Sequence, residues 1–341
     1  MYCWEVPPLW LYPKYAITSS VMASVLNFGV MNLLCGSLAS TLDERGITGS
    51  ARVRWLRSVL ISALRGFALV PLVAPTSVAV AIITREVPTL SWSQLLPYGL
   101  LAALLLIGVG WLLEYRRFQQ ISEERVRLEG WPPGTGRLVV VVLIVFSVVA
   151  ALVFGASLNV SRSAMLAVPV VTLLYMFWND RSPADTVREA ADNVNAMRNE
   201  MAIFAASGAL GAALSSLVPA DLIFGLAANQ AGVYVVAVCG MLILPMMSAI
   251  GVIPITMLSI FSGVLPQLMS AGMDPLLIAV ALVIGFSLAM MLSPFGPAVM
   301  LLSRLGQVPR WTVAFGWNGA FVLAALPLLL LYLWLIHHWV L

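Results

Sequence analysis

Apolar residues fill this chain in long blocks separated by short polar breaks, and those blocks predict its elements. Runs such as "LVVVVLIVFSVVAALVFGA" (138–156) and "FVLAALPLLLLYLWLI" (321–336) carry no charge. About 20 apolar residues are enough to cross the hydrocarbon core as a helix. In chain order, the pattern predicts a Ser-, Asn- and Gly-rich segment at 14–41, a basic loop at 42–57 and a proline-interrupted span at 58–84. Continuous helices follow at 94–113, 138–156, 163–178 and 201–218. A second irregular stretch, 232–270, holds Pro245, Gly251, Pro254, Gly263 and Pro266. A further interrupted span at 275–302 and a last helix at 311–336 complete the chain. The polar segment 179–200 reads as a cytoplasmic helix joining two groups of spans. Ser182 is its N-cap, Pro183 its first residue and Asp185 an acid in its first turn.

Composition narrows the class. The chain is 61% hydrophobic and 10% charged, where a soluble domain carries about a quarter charged residues. Lipid cannot satisfy exposed backbone groups, so the spans form a helical bundle, and the expected fold is an all-α polytopic membrane protein. Its partner is then the lipid bilayer, and nothing points to nucleic acid. Cys3, Cys35 and Cys239 are scattered without metal-ligand spacing. Phosphate-loop, hydrolase and dinucleotide motifs are lacking. With no intramembrane carboxylate pair, His cluster or nucleophile–base set, an enzyme is not expected, nor a cofactor or metal centre.

Charge predicts orientation. If 14–41 and 232–270 are re-entrant hairpins and every other span crosses, fifteen Lys and Arg fall on one face and two, Arg85 and Arg162, on the other. That split follows the positive-inside rule and puts the C-terminus outside the cytoplasm, in an integral cytoplasmic-membrane protein. Trp4, Trp10, Trp111, Trp131 and Trp311 near span ends read as interfacial anchors. Ser207, Gly208, Gly211 and Ala212 form a small-residue face suited to close helix packing.

The two interrupted spans match each other. Residues 61–85 laid over 280–304, an offset of 219, give seven identities without a gap: Gly66/Gly285, Phe67/Phe286, Leu69/Leu288, Pro75/Pro294, Ala79/Ala298, Val80/Val299 and Arg85/Arg304. Upstream, Gly29-Val30 aligns with Gly251-Val252. Each half therefore reads as hairpin, broken helix, continuous helix. Four crossings separate the two copies, so they run in opposite directions as an inverted repeat. The expected units are 14–113, scaffold helices with their linker at 138–218, and 232–336. A proline removes a backbone donor and frees the carbonyl one turn earlier, which is costly in lipid unless another group binds there. "APTS" (74–77) and "SPFGP" (293–297) are the expected unwound points, of the kind transporters use to hold solutes and ions.

This arrangement resembles the ion transporter superfamily, which includes divalent-anion/sodium symporters, citrate carriers, arsenite permeases and the large membrane subunit of TRAP transporters. The resemblance implies a site built from hairpin tips and unwound helices, with a core that moves as an elevator against a scaffold. Carried over by position, one half-site is Ser24, Asn27 and Gly29 with Pro75, Thr76 and Ser77. The other is Ser248, Gly251 and Thr256 with Ser293, Pro294 and Gly296. It also implies a small, organic anionic solute, Na⁺ as the coupling ion and a homodimer formed through the scaffold. Against that pattern the first repeat is short of scaffold helices, as from a late start or a reduced homologue. The expected function is secondary active anion transport; the alternative is the large subunit of a TRAP-like system.

Arg65 is the one charge well inside a span. It reads either as an anion ligand or as a side chain reaching back to the interface. No Asp, Glu or His falls at a predicted midplane, which favours Na⁺ coupling, or none, over proton coupling.

Overall fold

The computed structural model describes residues 10–26, 29–31, 34, 46, 49–123, 135–156, 158, 160–180, 183–196, 198–215, 217, 230–263, 265–270 and 274–339. Among these the protein is all-α. Five helices are long and apolar enough to cross a membrane: Arg52–Glu86, Trp92–Tyr115, Ala231–Ala249, Leu276–Gly306 and Thr312–Trp339. The first and fourth are the two interrupted spans.

In order, the helices are α1 (Leu11–Leu26), α2 (Gly49–Ala68), α3 (Val70–Val73), α4 (Val78–Glu86), α5 (Trp92–Glu123) and α6 (Thr135–Ala156). Then come α7 (Val160–Asp180), α8 (Pro183–Ala196), α9 (Arg198–Ser215), α10 (Gln230–Ala249), α11 (Pro254–Ser262) and α12 (Leu265–Ser270). The chain continues through α13 (Leu276–Leu292), α14 (Pro297–Gly306), a π-helical turn at Thr312–Trp317 and α15 (Asn318–Trp339). Segment 232–270 is therefore helix, turn and two short helices. Of segment 14–41, α1 accounts for the first part, and 27–28, 32–33 and 35–41 lie outside the described residues. The helix expected over 94–113 continues to Glu123, because Glu114, Tyr115 and the residues after them keep good helix formers and no breaker follows. Pro183 opens α8 and Asp185 sits in its first turn, while Ser182 lies outside the described residues.

The core is centred on α13. Its side chains are apolar all round, and every residue from Leu277 to Ala289 is buried, as such a helix must be. Two matched glycines let the broken helices close on their neighbours. A Cβ at Gly66 would strike the carbonyl of Ala16 on α1, and one at Gly285 would lie 2.6 Å from the carbonyl of Met241 on α10. Absence of a side chain thus permits backbone-to-backbone approach in both copies. The Ser19 hydroxyl adds a buried bond to the Ala63 carbonyl, 2.8 Å, across the first of these seams. Between the copies, the Ser287 hydroxyl donates to the Ala68 carbonyl at 2.5 Å. These residues are 219 apart, which is the repeat offset, so each meets its own counterpart.

Around this core the remaining helices are looser. α6 and α7 pack on each other and leave Phe146, Phe154, Leu174 and Trp178 exposed. α9 packs on α11, where Gly211 accommodates Ser259 and the Thr256 carbonyl. That glycine belongs to the predicted small-residue face.

Candidate functional site

Both interrupted helices break where the prolines stand, and they break alike. α3 ends at Ala74 and α4 starts after Ser77; α13 ends at Ser293 and α14 starts after Gly296. Ala74 and Ser293 adopt extended ψ values of 132° and 107°, and Ser77 and Gly296 values of 134° and 139°. The hydrogen bonds coincide too. Ala74 N–H donates to Val70 O and Ser77 N–H to Ala74 O, at 2.9 and 3.2 Å. Ser293 N–H donates to Ala289 O and Gly296 N–H to Ser293 O, at 2.9 and 3.0 Å. Each of these atoms maps onto its counterpart at the offset of 219. Since proline carries no N–H, the carbonyls of Pro71 and Met290, one turn before Pro75 and Pro294, receive no helical donor.

The first break is braced by hydroxyls. Ser77 Oγ accepts from Ala79 N–H at 3.2 Å and so caps α4. Thr76 Oγ1 donates to the Ser24 carbonyl at 2.7 Å, joining the break to the end of α1. Ser24 Oγ turns to its own helix and donates to Val21 O. Three of the predicted residues, Ser24, Thr76 and Pro75, are thereby brought together. Gly29 is a half-buried helical residue, and Asn27 lies outside the described residues. A Thr76→Val substitution is expected to cost about 1 kcal/mol through loss of the Ser24 bond. A thermal melt of the variant in detergent measures it, and an unchanged midpoint would show that this bond contributes nothing.

The second break is braced by an aromatic ring. Gly251, in the turn between α10 and α11, has φ +113°, and a Cβ there would touch the Phe295 ring at 3.3 Å. Glycine alone takes that conformation without strain. Phe295 occupies the position of Thr76 in the repeat. Its ring stands edge-on to Trp311 at 5.8 Å, and Trp311 stacks on Phe315 at 5.7 Å. The Arg310 guanidinium lies 4.4 Å over Phe295. Ser248 and Thr256, on the helices flanking the turn, are both buried. The Ser248 carbonyl accepts from Gly251 N–H, while its hydroxyl has no hydrogen-bond partner among the described residues. No side chain caps α14, which begins with Pro297.

Arg65 is at neither break. It lies nine residues before Ala74, about 13 Å along the helix. It is 2% exposed and enclosed by protein. Nη1 pairs with Glu114 at 3.4 Å, Nε donates to Asn318 Oδ1 at 3.1 Å, and Nη2 donates to the Trp317 carbonyl at 3.0 Å. The guanidinium also covers the Phe321 ring at 4.2 Å. Asn318 in turn donates to Val313 O at 2.8 Å, so the π-helical turn is held by these two side chains. Glu114, Asn318, Phe295 and Arg310 went unread in the sequence. Asn318 offered a signal, as a lone amide in an apolar span; the other three offered none.

A cavity of about 10 Å³, no larger than a water, is lined by Leu72, Val80, Trp92, Gly99, Val280 and Val283, among others. A larger open groove of about 940 Å³ lies elsewhere, between α7, α8 and the start of α9, and none of the residues above lines it. No family model matches the chain and none of the curated proteins matches it, so the functional reading rests on the geometry of the two breaks.

Proposed function

We propose that this chain is a secondary active transporter of a small, organic anion across the cytoplasmic membrane, working by elevator-type alternating access. One observation carries the reading: two proline-broken helices whose backbone hydrogen bonds coincide at a single offset. A split helix sets a partly negative C-terminal end against a partly positive N-terminal end inside the membrane. The positive ends of α4 and α14 suit an anionic group. Carbonyls without helical donors, those of Pro71 and Met290, suit Na⁺, the coupling ion in this reading.

Opposite direction of the two copies has its own support. Ala68 meets Ser287, Leu60 lies against Gly306, and Leu72 shares a cavity wall with Val283. Numbers that rise along one copy fall along the other, as they do in an inverted repeat. Contact between counterparts is also what a two-fold axis produces.

The test is accumulation of radiolabelled mono-, di- and tricarboxylates in proteoliposomes under an inward Na⁺ gradient. Gradient-driven uptake is expected, with Pro294→Leu lowering it about tenfold or more while the thermal midpoint stays within a few degrees. Such a loss matches the one or two kcal/mol at stake in a misplaced half-helix end. If none of these anions accumulates at any gradient, the carrier reading is wrong. If accumulation needs an added solute-binding protein, the chain is instead a subunit of a larger transport system.

A further inference from the structure

The two breaks share a backbone but differ in chemistry. At the first, Thr76 is a small hydroxyl already committed to the Ser24 carbonyl. At the second, the equivalent position is Phe295, with a guanidinium above it. Arg310, whose counterpart at the repeat offset is Ser91, sits where the break, the hairpin turn at Gly251 and the head of the last helix converge. Among the described residues Arg310 has no ion-pair partner; its contacts are the faces of Phe295 at 4.4 Å and Trp311 at 5.9 Å. Arg65, by contrast, has its charge met by Glu114, and its Nε and Nη2 donate to Asn318 and Trp317. The rings beside Arg310 are open: Phe295, Trp311 and Phe315 are 41%, 47% and 39% exposed and follow one another at stacking distances.

We propose that Arg310 is the anion-recognising side chain of the second half-site, and that Phe295, Trp311 and Phe315 receive an apolar or aromatic body attached to that anion. This rests on the carrier reading above and names its substrate class: an oxyanion on a planar or hydrocarbon frame. A guanidinium held over rings keeps its outer N–H edge available, and that fork matches the two oxygens of a carboxylate. The rings lose little by covering, since they are rigid and already partly desolvated by one another. A phosphate-bearing lipid offers the same pairing of anion and apolar body, so the test separates the two sources.

The experiment measures equilibrium binding of radiolabelled benzoate to the full chain in neutral detergent, with acetate as the competitor lacking a ring. Wild-type protein is expected to bind benzoate, and acetate to compete about tenfold or more less well. Arg310→Gln is expected to weaken benzoate binding by about tenfold or more, and Arg310→Lys to recover part of it. Ser147→Ala, on the exposed face of α6 and away from both breaks, should leave benzoate affinity within about twofold, which controls for general damage to the fold. Equal affinity in wild type and Arg310→Gln overturns the proposal, as does wild-type protein that binds no benzoate. A parallel arm reads thermal stabilisation in nanodiscs of phosphatidylglycerol against phosphatidylcholine. Arg310-dependent stabilisation by phosphatidylglycerol, with no benzoate binding, assigns the residue to lipid and overturns the solute assignment. Failure of the carrier reading shows up separately, as lack of any anion accumulation in proteoliposomes whichever side chain stands at 310.

Discussion

Replacing Arg65 by methionine, with Glu114 left in place, is expected to destabilise the protein by about 3–5 kcal/mol. The substitution removes the guanidinium that lies 3.4 Å from the Glu114 carboxylate, and both side chains are nearly inaccessible. It also strips a donor from Asn318 Oδ1 and another from the Trp317 carbonyl. A buried carboxylate without its counter-charge is far costlier than a buried pair that was never made. The double substitution, Arg65→Met with Glu114→Leu, should therefore recover much of the loss. It should not recover all of it, because Asn318 and Trp317 stay short of donors. Unfolding in detergent, followed by helical circular dichroism for all three variants, gives the comparison. If the double variant is no more stable than Arg65→Met alone, Glu114 is not the partner that Arg65 serves.

A leucine at Gly285 is expected to be comparably damaging, at about 3 kcal/mol. The reason is different. A Cβ at this position would lie 2.6 Å from the Met241 carbonyl oxygen and 2.9 Å from its Cα, and both are backbone atoms that cannot rotate away. Helix α10 must then move off α13, opening the most buried seam of the core. The counterpart substitution at Gly66 meets the backbone of Ala16 and should act in the same direction. Gly319, where a Cβ meets nothing within 4 Å, is the control, and alanine there should shift the thermal midpoint little. A tolerated Gly285→Leu with an unchanged midpoint would mean that α10 and α13 are not in backbone contact.

What could be read from the chain beforehand was what repeats or interrupts. Pro75 and Pro294 recur at the repeat offset, so Ala74–Ser77 and Ser293–Gly296 could be placed from sequence alone, whereas Pro97, Pro169, Pro245 and Pro327 lie inside continuous helices. Gly66 and Gly285 were visible as identities, although their use as backbone contacts needed Ala16 and Met241 to be located. Apolar blocks gave the spans but blurred their ends: the last polar turns of α5 carry helix formers and continue to Glu123. That blurring hid Glu114, which looked like the start of a loop. Arg65 stood out as a charge, but its partners on α5 and α15 are far along the chain, and hydropathy does not encode which helices meet. Phe295 looked like one more apolar residue between two prolines. Only the return of the chain through Gln307, with its φ of +51°, brings Arg310 back over that ring.

The bond from Ser287 to Ala68 has a geometric consequence of its own. In the proposed inverted repeat, the midpoint of a contact between counterparts lies on the axis that relates the two halves. Any motion in which the halves trade conformations leaves that point where it was, however far the outer helices travel. Under the proposed elevator motion, the Ala68–Ser287 crossing is therefore the expected pivot between the halves.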